Sequence, residues 1–169
     1  MEAFSDAPLT KSTSPSDFWG NRWDRPVESA LRRGCFRPLR KAGYSRNMAA
    51  FGTFVVSGMI HEYVLWLMTF RQGPFSNPTG QPYVPSWGNQ FLFFLWNGIV
   101  LLLERYWTNH PVLLWMQDHL PKAVRTALVL LTVLPIAHLF TDEYIGSCFF
   151  GDAAWGFPLF VYMGPQPAG

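Results

Sequence analysis

The sequence has little charge and only two cysteines. Charged residues make up 14% of the 169 residues, whereas soluble domains average roughly 25%. Hydrophobic residues make up 49% and aromatic residues 17%. Cys35 and Cys148 lie far apart and form neither a metal-ligand spacing nor a disulfide framework, so we expect no metal. This composition is typical of an integral membrane protein of one modest domain.

The N-terminal stretch lacks the basic start and apolar segment of a signal peptide. Membrane insertion is therefore expected to depend on the first transmembrane helix. Residues 1–14 are predicted to be a disordered arm, and residues 15–47 an amphipathic segment at the cytosolic surface. The start Ser14-Pro15-Ser16-Asp17 predicts a helix, because Ser or Asp can cap and Pro fits a first turn.

Apolar runs predict the rest of the fold, which is all-α: a polytopic membrane helical bundle of three to four transmembrane helices. We expect Pro135 to kink the third helix and Asp142-Glu143 to end it. Residues 144–163 are apolar but broken by Gly and Pro, and they fit either a fourth span or a re-entrant segment. The predicted segments are a first helix 48–70, a loop 71–86, a second helix 87–107, a connector 108–122 with a short helix near 112–120, a third helix 123–140 and a tail 164–169.

Basic residues predict the orientation of this bundle. Eight of them lie between Arg22 and Arg46, opposed only by Asp24 and Glu28, whereas the loop after the first helix carries Arg71 at its start. The arm and the second connector are therefore expected in the cytosol, and the loop in the lumen.

His61 and Glu62 stand near the middle of the first predicted span. A charged group at such depth costs on the order of 3 kcal/mol and usually faces protein or a wet cavity. A neutral imidazole there can act as a general base toward a hydroxyl. An equally weighted alternative is a hydrogen bond to another helix that only holds the bundle together. Ser57 shares a helix face with His61 and is small enough for a helix or a substrate to approach.

The basic, Trp-containing arm also has two interpretations. It can be a positive-inside anchor with interfacial tryptophans, which charge clustering alone favours. It can also bind the phosphates of coenzyme A, because Arg offers bidentate donors. Nucleic-acid binding is not expected so close to a span.

Two motifs carry a family resemblance. Residues 14–24 read Ser-Pro-Ser-Asp-Phe-Trp-Gly-Asn-Arg-Trp-Asp, and residues 57–63 read Ser-Gly-Met-Ile-His-Glu-Tyr. In this order they resemble the membrane-bound O-acyltransferase superfamily, and most of all its wax-synthase-like branch. His-Glu-Tyr is also similar to diacylglycerol and sterol O-acyltransferases. The resemblance covers residues 14–70. Family members are usually at least twice as long, so we expect the chain to be a C-terminal portion of the enzyme, a truncated form or a degenerate relative.

The resemblance implies roles for seven residues. His61 would deprotonate an alcohol that attacks an acyl-CoA thioester, and Asp24 would help to position the thioester. Asp24 replaces the usual Asn, and an ionised carboxylate cannot donate a hydrogen bond as an amide can; Asn21 likewise replaces a common Arg. Substrate binding would fall to five others: Trp19, Arg22, Trp23, Ser57 and Glu62.

The resemblance further implies synthesis of a wax ester or glyceride in the endoplasmic reticulum membrane. The expected partners are acyl-CoA as substrate, a long-chain alcohol or diacylglycerol, and membrane lipid, with no separate cofactor and a homo-oligomer left open. The alternative is a non-catalytic or truncated relative that acts as a structural or interaction subunit.

Overall fold

The computed structural model describes residues 7–72 and 84–146, and within these ranges every regular element is a helix. The predicted all-α class is confirmed there. In chain order the α-helices are α1 (Pro8–Lys11), α2 (Pro15–Asp17), α3 (Arg25–Leu31), α4 (Arg37–Lys41), α5 (Arg46–Gln72), α6 (Asn89–Tyr106), α7 (Pro111–His119), α8 (Lys122–Val133) and α9 (His138–Gly146).

The arm begins with the helix start that its sequence predicts. The Ser14 hydroxyl accepts a hydrogen bond from the backbone N–H of Asp17 at 3.1 Å, and the Asp17 carboxylate accepts one from the N–H of Thr13 at 3.2 Å. This exchange satisfies donors that a helix N-terminus otherwise leaves unpaired. Residues 7–14 are not the disordered arm expected from composition. They contain α1, and Ser12 is fully buried.

Two wide helical turns shape the rest of the arm. A π-helical turn, Phe18–Arg22, extends α2, and a second one, Arg32–Phe36, joins α3 to α4. Pro38 explains the second turn, because its ring has no N–H and clashes with the preceding turn of an α-helix. The wider turn accommodates the proline ring. It is closed by a hydrogen bond from the N–H of Arg37 to the carbonyl of Arg32.

The long helices α5 and α6 form the main packing contact, and two glycines allow it. A Cβ at Gly58 would lie 3.0 Å from Phe91 Cδ2 and 3.1 Å from its Cα, and a Cβ at Gly98 would lie 3.1 Å from Phe54 Cβ. Only glycine therefore permits this approach of the two backbones. The predicted first and second helices are both confirmed, with the first extended to Arg46–Gln72.

Polar side chains seven residues apart form a stripe on α6, and each accepts a hydrogen bond from a different element. Gln90 accepts from Tyr144 Oη at 3.4 Å, and Asn97 accepts from Trp19 Nε1 at 3.1 Å. Glu104 accepts from the N–H and the hydroxyl of Ser16 at 2.8 and 2.7 Å. Seven residues are nearly two helical turns, so the stripe faces one side of the helix. The members of this polar stripe are Gln90, Asn97 and Glu104.

The amphipathic segment 15–47 enters the core of the bundle at Phe18, whereas its other residues are exposed or half-buried. Phe18 is 2% exposed and belongs to the same buried cluster as Phe93, Phe94, Val129 and Val133. Aromatic residues bury a large apolar area. Phe18 therefore belongs to the core of the bundle, and the position of residues 15–47 at the membrane surface stays a prediction.

The predicted kink at Pro135 is confirmed, but the predicted helix end is wrong. A short 3₁₀ turn, Leu134–Ile136, separates α8 from α9, and the two helices are bent by 54°. The chain then stays helical through Glu143, which is 2% exposed and accepts a hydrogen bond from the N–H of Ser86 at 3.0 Å. Because this carboxylate is satisfied inside the protein, it does not end the helix. Residues 147–163 of the predicted last segment lie outside the described residues.

The short helix expected in the second connector is present as α7. Among the described residues, Arg46–Leu67 is long and apolar enough to cross a membrane, and α8 with α9 forms a second candidate if the bent pair is one span. The predicted three to four spans are not reached within these ranges, since α6 carries the polar stripe. Most of the predicted loop 71–86 lies outside the described residues.

The close contact at Gly58 yields a stability prediction. We expect Gly58→Ala to lower the stability of the bundle by about 1–3 kcal/mol, because the new methyl group meets the backbone of Phe91. The measurement is the apparent melting temperature of the detergent-solubilised protein. Gly34→Ala is the matched control, since a Cβ there has nothing within 4 Å. Equal melting temperatures for the two variants would contradict the packing account.

Candidate active site

A cavity of about 740 Å³ lies between the arm and helices α5, α6 and α9. One face of α5 lines it at helical spacing from Arg46 to His61, fifteen positions further along the chain. At 1.5 Å per residue this face is about 22 Å long. The α5 residues that line it are Arg46, Ala50, Thr53, Phe54, Ser57 and His61.

His61 is held by its own helix and by aromatic rings. Its Nδ1 lies 2.8 Å from the carbonyl oxygen of Ser57. A carbonyl only accepts hydrogen bonds, so Nδ1 is inferred to carry the proton, and Nε2 of the neutral ring keeps its lone pair. The ring centroid lies 4.3 Å from that of Phe94 and 5.4 Å from that of Phe140. The ring is thereby fixed in the cavity wall with one nitrogen able to accept a proton.

Asp24 lines the same cavity and also caps a helix. Its backbone is left-handed, with φ 36° and ψ 67°, and its Oδ1 accepts a hydrogen bond from the N–H of Val27 at 3.2 Å. Asn and Asp are the residues that tolerate this conformation best after glycine, and both are strong N-caps. Asp at the family's Asn position therefore preserves the turn, while it removes an amide donor.

Trp19 and Trp23 form the aromatic side of the cavity. Trp19 donates from Nε1 to Asn97 Oδ1 at 3.1 Å, and its ring meets Phe54 edge-on at 5.6 Å. Trp23 stacks on Phe18 at 5.5 Å and is 41% exposed. The hydrogen bond makes Trp19 a fixed part of the wall, whereas Trp23 stands at its open side.

Arg22, expected to bind substrate, forms an ion pair within the arm. Its Nε donates to Asp17 Oδ2 at 2.8 Å, and Asn21 donates to the other oxygen at 3.2 Å. Burial raises the pKa of Asp17, but the hydrogen bonds from Arg22 and Asn21 outweigh it and hold that pKa below its usual range. Arg22 is not among the residues that line the cavity.

Glu62 also has a partner in the fold. Its Oε1 accepts a hydrogen bond from the backbone N–H of Phe91 at 3.0 Å, in the first turn of α6. The N-cap of that helix is Gly88, which has no side chain to serve as acceptor. A carboxylate at this end is also favoured by the helix dipole. Glu62 thus caps α6 from the neighbouring helix and does not line the cavity.

The structure brings five of the seven predicted site residues to one cavity: Trp19, Trp23, Asp24, Ser57 and His61. Their roles in catalysis and binding stay predictions. Sequence reasoning missed Phe94, Phe140 and Arg105, which also line the cavity. Arg105 stands next to Glu104 in sequence, but the Glu104 carboxylate accepts two hydrogen bonds from Ser16. In residues 7–72 and 84–146 no three His, Cys, Asp or Glu side chains are placed to hold a metal ion.

Comparison with known proteins assigns the family. Residues 3–96, more than half of the chain, match the membrane bound O-acyl transferase family. The chain belongs to this family, as its two motifs predict. No solved structure matches it.

Curated relatives point to the same branch. Probable long-chain-alcohol O-fatty-acyltransferase 9 of Arabidopsis thaliana is 34% identical over 57% of this chain and 29% of its own length. Acyl-CoA--sterol O-acyltransferase 1 of the same plant is 33% identical over 79% of the chain and 36% of its own length. Diacylglycerol O-acyltransferase 1 of Chlorocebus aethiops is 36% identical over 41% of the chain and 14% of its own length. The chain thus spans about a third of the plant relatives it matches.

Two substitutions separate a capping role of Glu62 from a substrate-binding role. Glu62→Ala is expected to cost about 1–2 kcal/mol of stability, because the N–H of Phe91 loses its acceptor. Glu62→Gln keeps an acceptor oxygen and should lose only the dipole interaction, about 0.3–1 kcal/mol. Melting temperatures in detergent measure both. A Gln variant with an unchanged melting temperature and a raised KM for substrate would assign Glu62 to binding instead.

Proposed function

We propose that the protein transfers a fatty acyl group from acyl-CoA to the hydroxyl of a lipid alcohol, with His61 as the general base. The observation that carries the proposal is the placement of His61. Its Nδ1 is hydrogen-bonded to the carbonyl oxygen of Ser57. The face of α5 that lines the cavity runs from His61 to an exposed arginine, Arg46. The alternative interpretation of His61, a hydrogen bond that only joins two helices, needs a partner on another element, whereas the ring is hydrogen-bonded to its own helix.

The proposed reaction uses the lone pair on Nε2 of His61. Nε2 takes the hydroxyl proton of the alcohol while the alcohol oxygen forms a bond to the carbonyl carbon of the thioester. The tetrahedral intermediate then expels the CoA sulfur as the C–S bond breaks, and the imidazolium returns its proton to that sulfur. The ester and CoA-SH are the products, and the ring ends as it began. A neutral imidazole held between Phe94 and Phe140 is suited to this role, because the lone pair on Nε2 can accept a proton.

The two ends of the cavity suit the two parts of the donor. Arg32, Arg40 and Arg46 line the cavity and are exposed, so they can meet the phosphates of CoA. The aromatic rings around His61 suit the acyl chain. We assign Trp19 and Trp23 to the wall past which the thioester enters, and Ser57 to the narrow part beside His61.

Asp24 is assigned a positioning role in this reaction. Its cap and its left-handed backbone fix the turn that places Trp23 in the cavity wall. As a carboxylate it cannot donate a hydrogen bond to the thioester carbonyl. Polarisation of that carbonyl is therefore not attributed to this residue.

The acceptor is proposed to be a long-chain alcohol, with diacylglycerol or a sterol as the other acceptors that the relatives' names indicate. The proposed location is the endoplasmic reticulum membrane, with the arm in the cytosol where acyl-CoA is found. A homo-oligomer is compatible with this proposal.

The second candidate is a non-catalytic subunit with the same fold. Asp24 in place of the family's Asn favours it, because the amide donor is lost. Labelled acyl-CoA offered with fatty alcohol, diacylglycerol or sterol separates the two candidates. Ester formation with any acceptor supports the enzyme, and none with all three supports the subunit.

His61→Ala tests the general base. We expect ester formation in microsomes to fall by at least about 100-fold, because general base catalysis contributes roughly that much or more. The protein level should stay unchanged, as the ring's hydrogen bond is to its own helix.

The control is His138→Ala. His138 lies on α9, is exposed, and bonds to the carbonyl of Pro135 at 3.0 Å, much as His61 bonds to Ser57. The His138→Ala variant should keep full ester-forming activity. Equal activity of the two variants would rule out His61 as the base.

A further inference from the structure

Arg105 differs from the other arginines of the cavity. It lies in the last turn of α6, lines the cavity and is half-buried. Its Nε is buried and has no hydrogen-bond partner among the residues that the structure describes. A buried N–H without an acceptor is costly. Gln90 Nε2 and Arg125 Nε are in the same condition, but of the three residues only Arg105 lines the cavity.

The carboxylates that share this region are held by other donors. Glu104, next to Arg105 in sequence, accepts two hydrogen bonds from Ser16. Glu28 forms an ion pair with Arg32 at 3.7 Å, and Asp24 caps α3. In the described ranges no ion pair to Arg105 is found, so its positive charge remains available to the cavity.

The other cavity arginines are placed differently. Arg32, Arg40 and Arg46 are exposed, and two of them are occupied: Arg32 by Glu28 and Arg40 by the carbonyl of Tyr44. A half-buried arginine is the stronger anion site, because water screens it less. The two Nη groups of its planar guanidinium can be offered together to two oxygens of one phosphate.

We propose that Arg105 binds a phosphate group of the substrate in this cavity, as a positioning residue that fixes the donor relative to His61. The inference rests on the proposed acyl transfer, whose thioester donor carries phosphates. A phospholipid headgroup offers the same chemistry, so the test includes both sources.

The test compares Arg105→Lys with Arg125→Lys. Lysine keeps the charge but loses the planar fork. Arg125, on α8, also has a buried Nε without a partner in the described part of the chain, but it does not line the cavity. CoA binding is measured as the rise in melting temperature of protein in maltoside detergent, which contains no phosphate. Each variant is compared with itself, so a general loss of stability does not imitate lost binding.

We expect Arg105→Lys to weaken CoA binding about tenfold or more, the range of a lost charge-assisted hydrogen bond, and Arg125→Lys to leave it unchanged. If Arg105→Lys weakens the binding of added phosphatidic acid but not of CoA, the phosphate site stands and its source is a lipid headgroup. Unchanged binding of both ligands overturns the inference, and so does an equal loss in both variants. Arg105→Gln repeats the test if the Lys variant does not accumulate.

Activity separates this inference from the proposed function. With Arg105→Lys, KM for acyl-CoA should rise about tenfold, while kcat at saturation is retained. Wild-type protein that binds CoA through Arg105 but forms no ester would refute acyl transfer and leave the phosphate site standing. Ester formation by Arg105→Lys with an unchanged KM for acyl-CoA would support acyl transfer and refute the phosphate site at Arg105.

Discussion

The hydrogen bonds that converge on the polar stripe of α6 are the constraint on which the rest of the structure depends. Polar groups buried inside a protein lose their hydrogen bonds to water, so most of them are bonded within the protein. Gln90 and Asn97 are fully buried, and each accepts a bond from a different part of the chain. Leaving a group such as Asn97 without its partner would cost about 1–3 kcal/mol. The stripe thereby fixes where the arm and α9 must sit.

Much of the family's first motif is explained by this requirement. Ser14 and Asp17 start the helix, Ser16 bonds to Glu104, and Trp19 bonds to Asn97. With the arm tied down at these points, its inner side becomes a wall of the cavity. The proposed proton transfer belongs to the second motif, where His61 alone among the predicted site residues has a nitrogen suited to it.

Local patterns predicted the fold better than they predicted the contacts. Helix bounds, the Ser14 cap and the Pro135 kink follow from neighbours in sequence, and helical spacing placed Ser57 on the same face as His61. The partners of Glu62 and Glu104 could not be found in this way, because they lie 29 and 88 residues away. Glu143 was expected to end a helix because it is charged, but Ser86 satisfies it from across the bundle. Arg105 was overlooked for a related reason: an adjacent carboxylate suggests a local pair, and only the tertiary structure shows that Glu104 is already engaged.

The proposed mechanism requires an unprotonated Nε2 on His61, and the ¹⁵N spectrum of the ring detects a proton on either nitrogen. The protein is labelled with ¹⁵N-histidine in detergent at neutral pH, and the His61 signals are assigned by their loss in His61→Asn. The account predicts a protonated Nδ1, held by the carbonyl of Ser57, and an Nε2 without a proton. A proton on Nε2, whether in the other neutral form or in a doubly protonated ring, would contradict it, because the nitrogen assigned to take the alcohol's proton would already hold one.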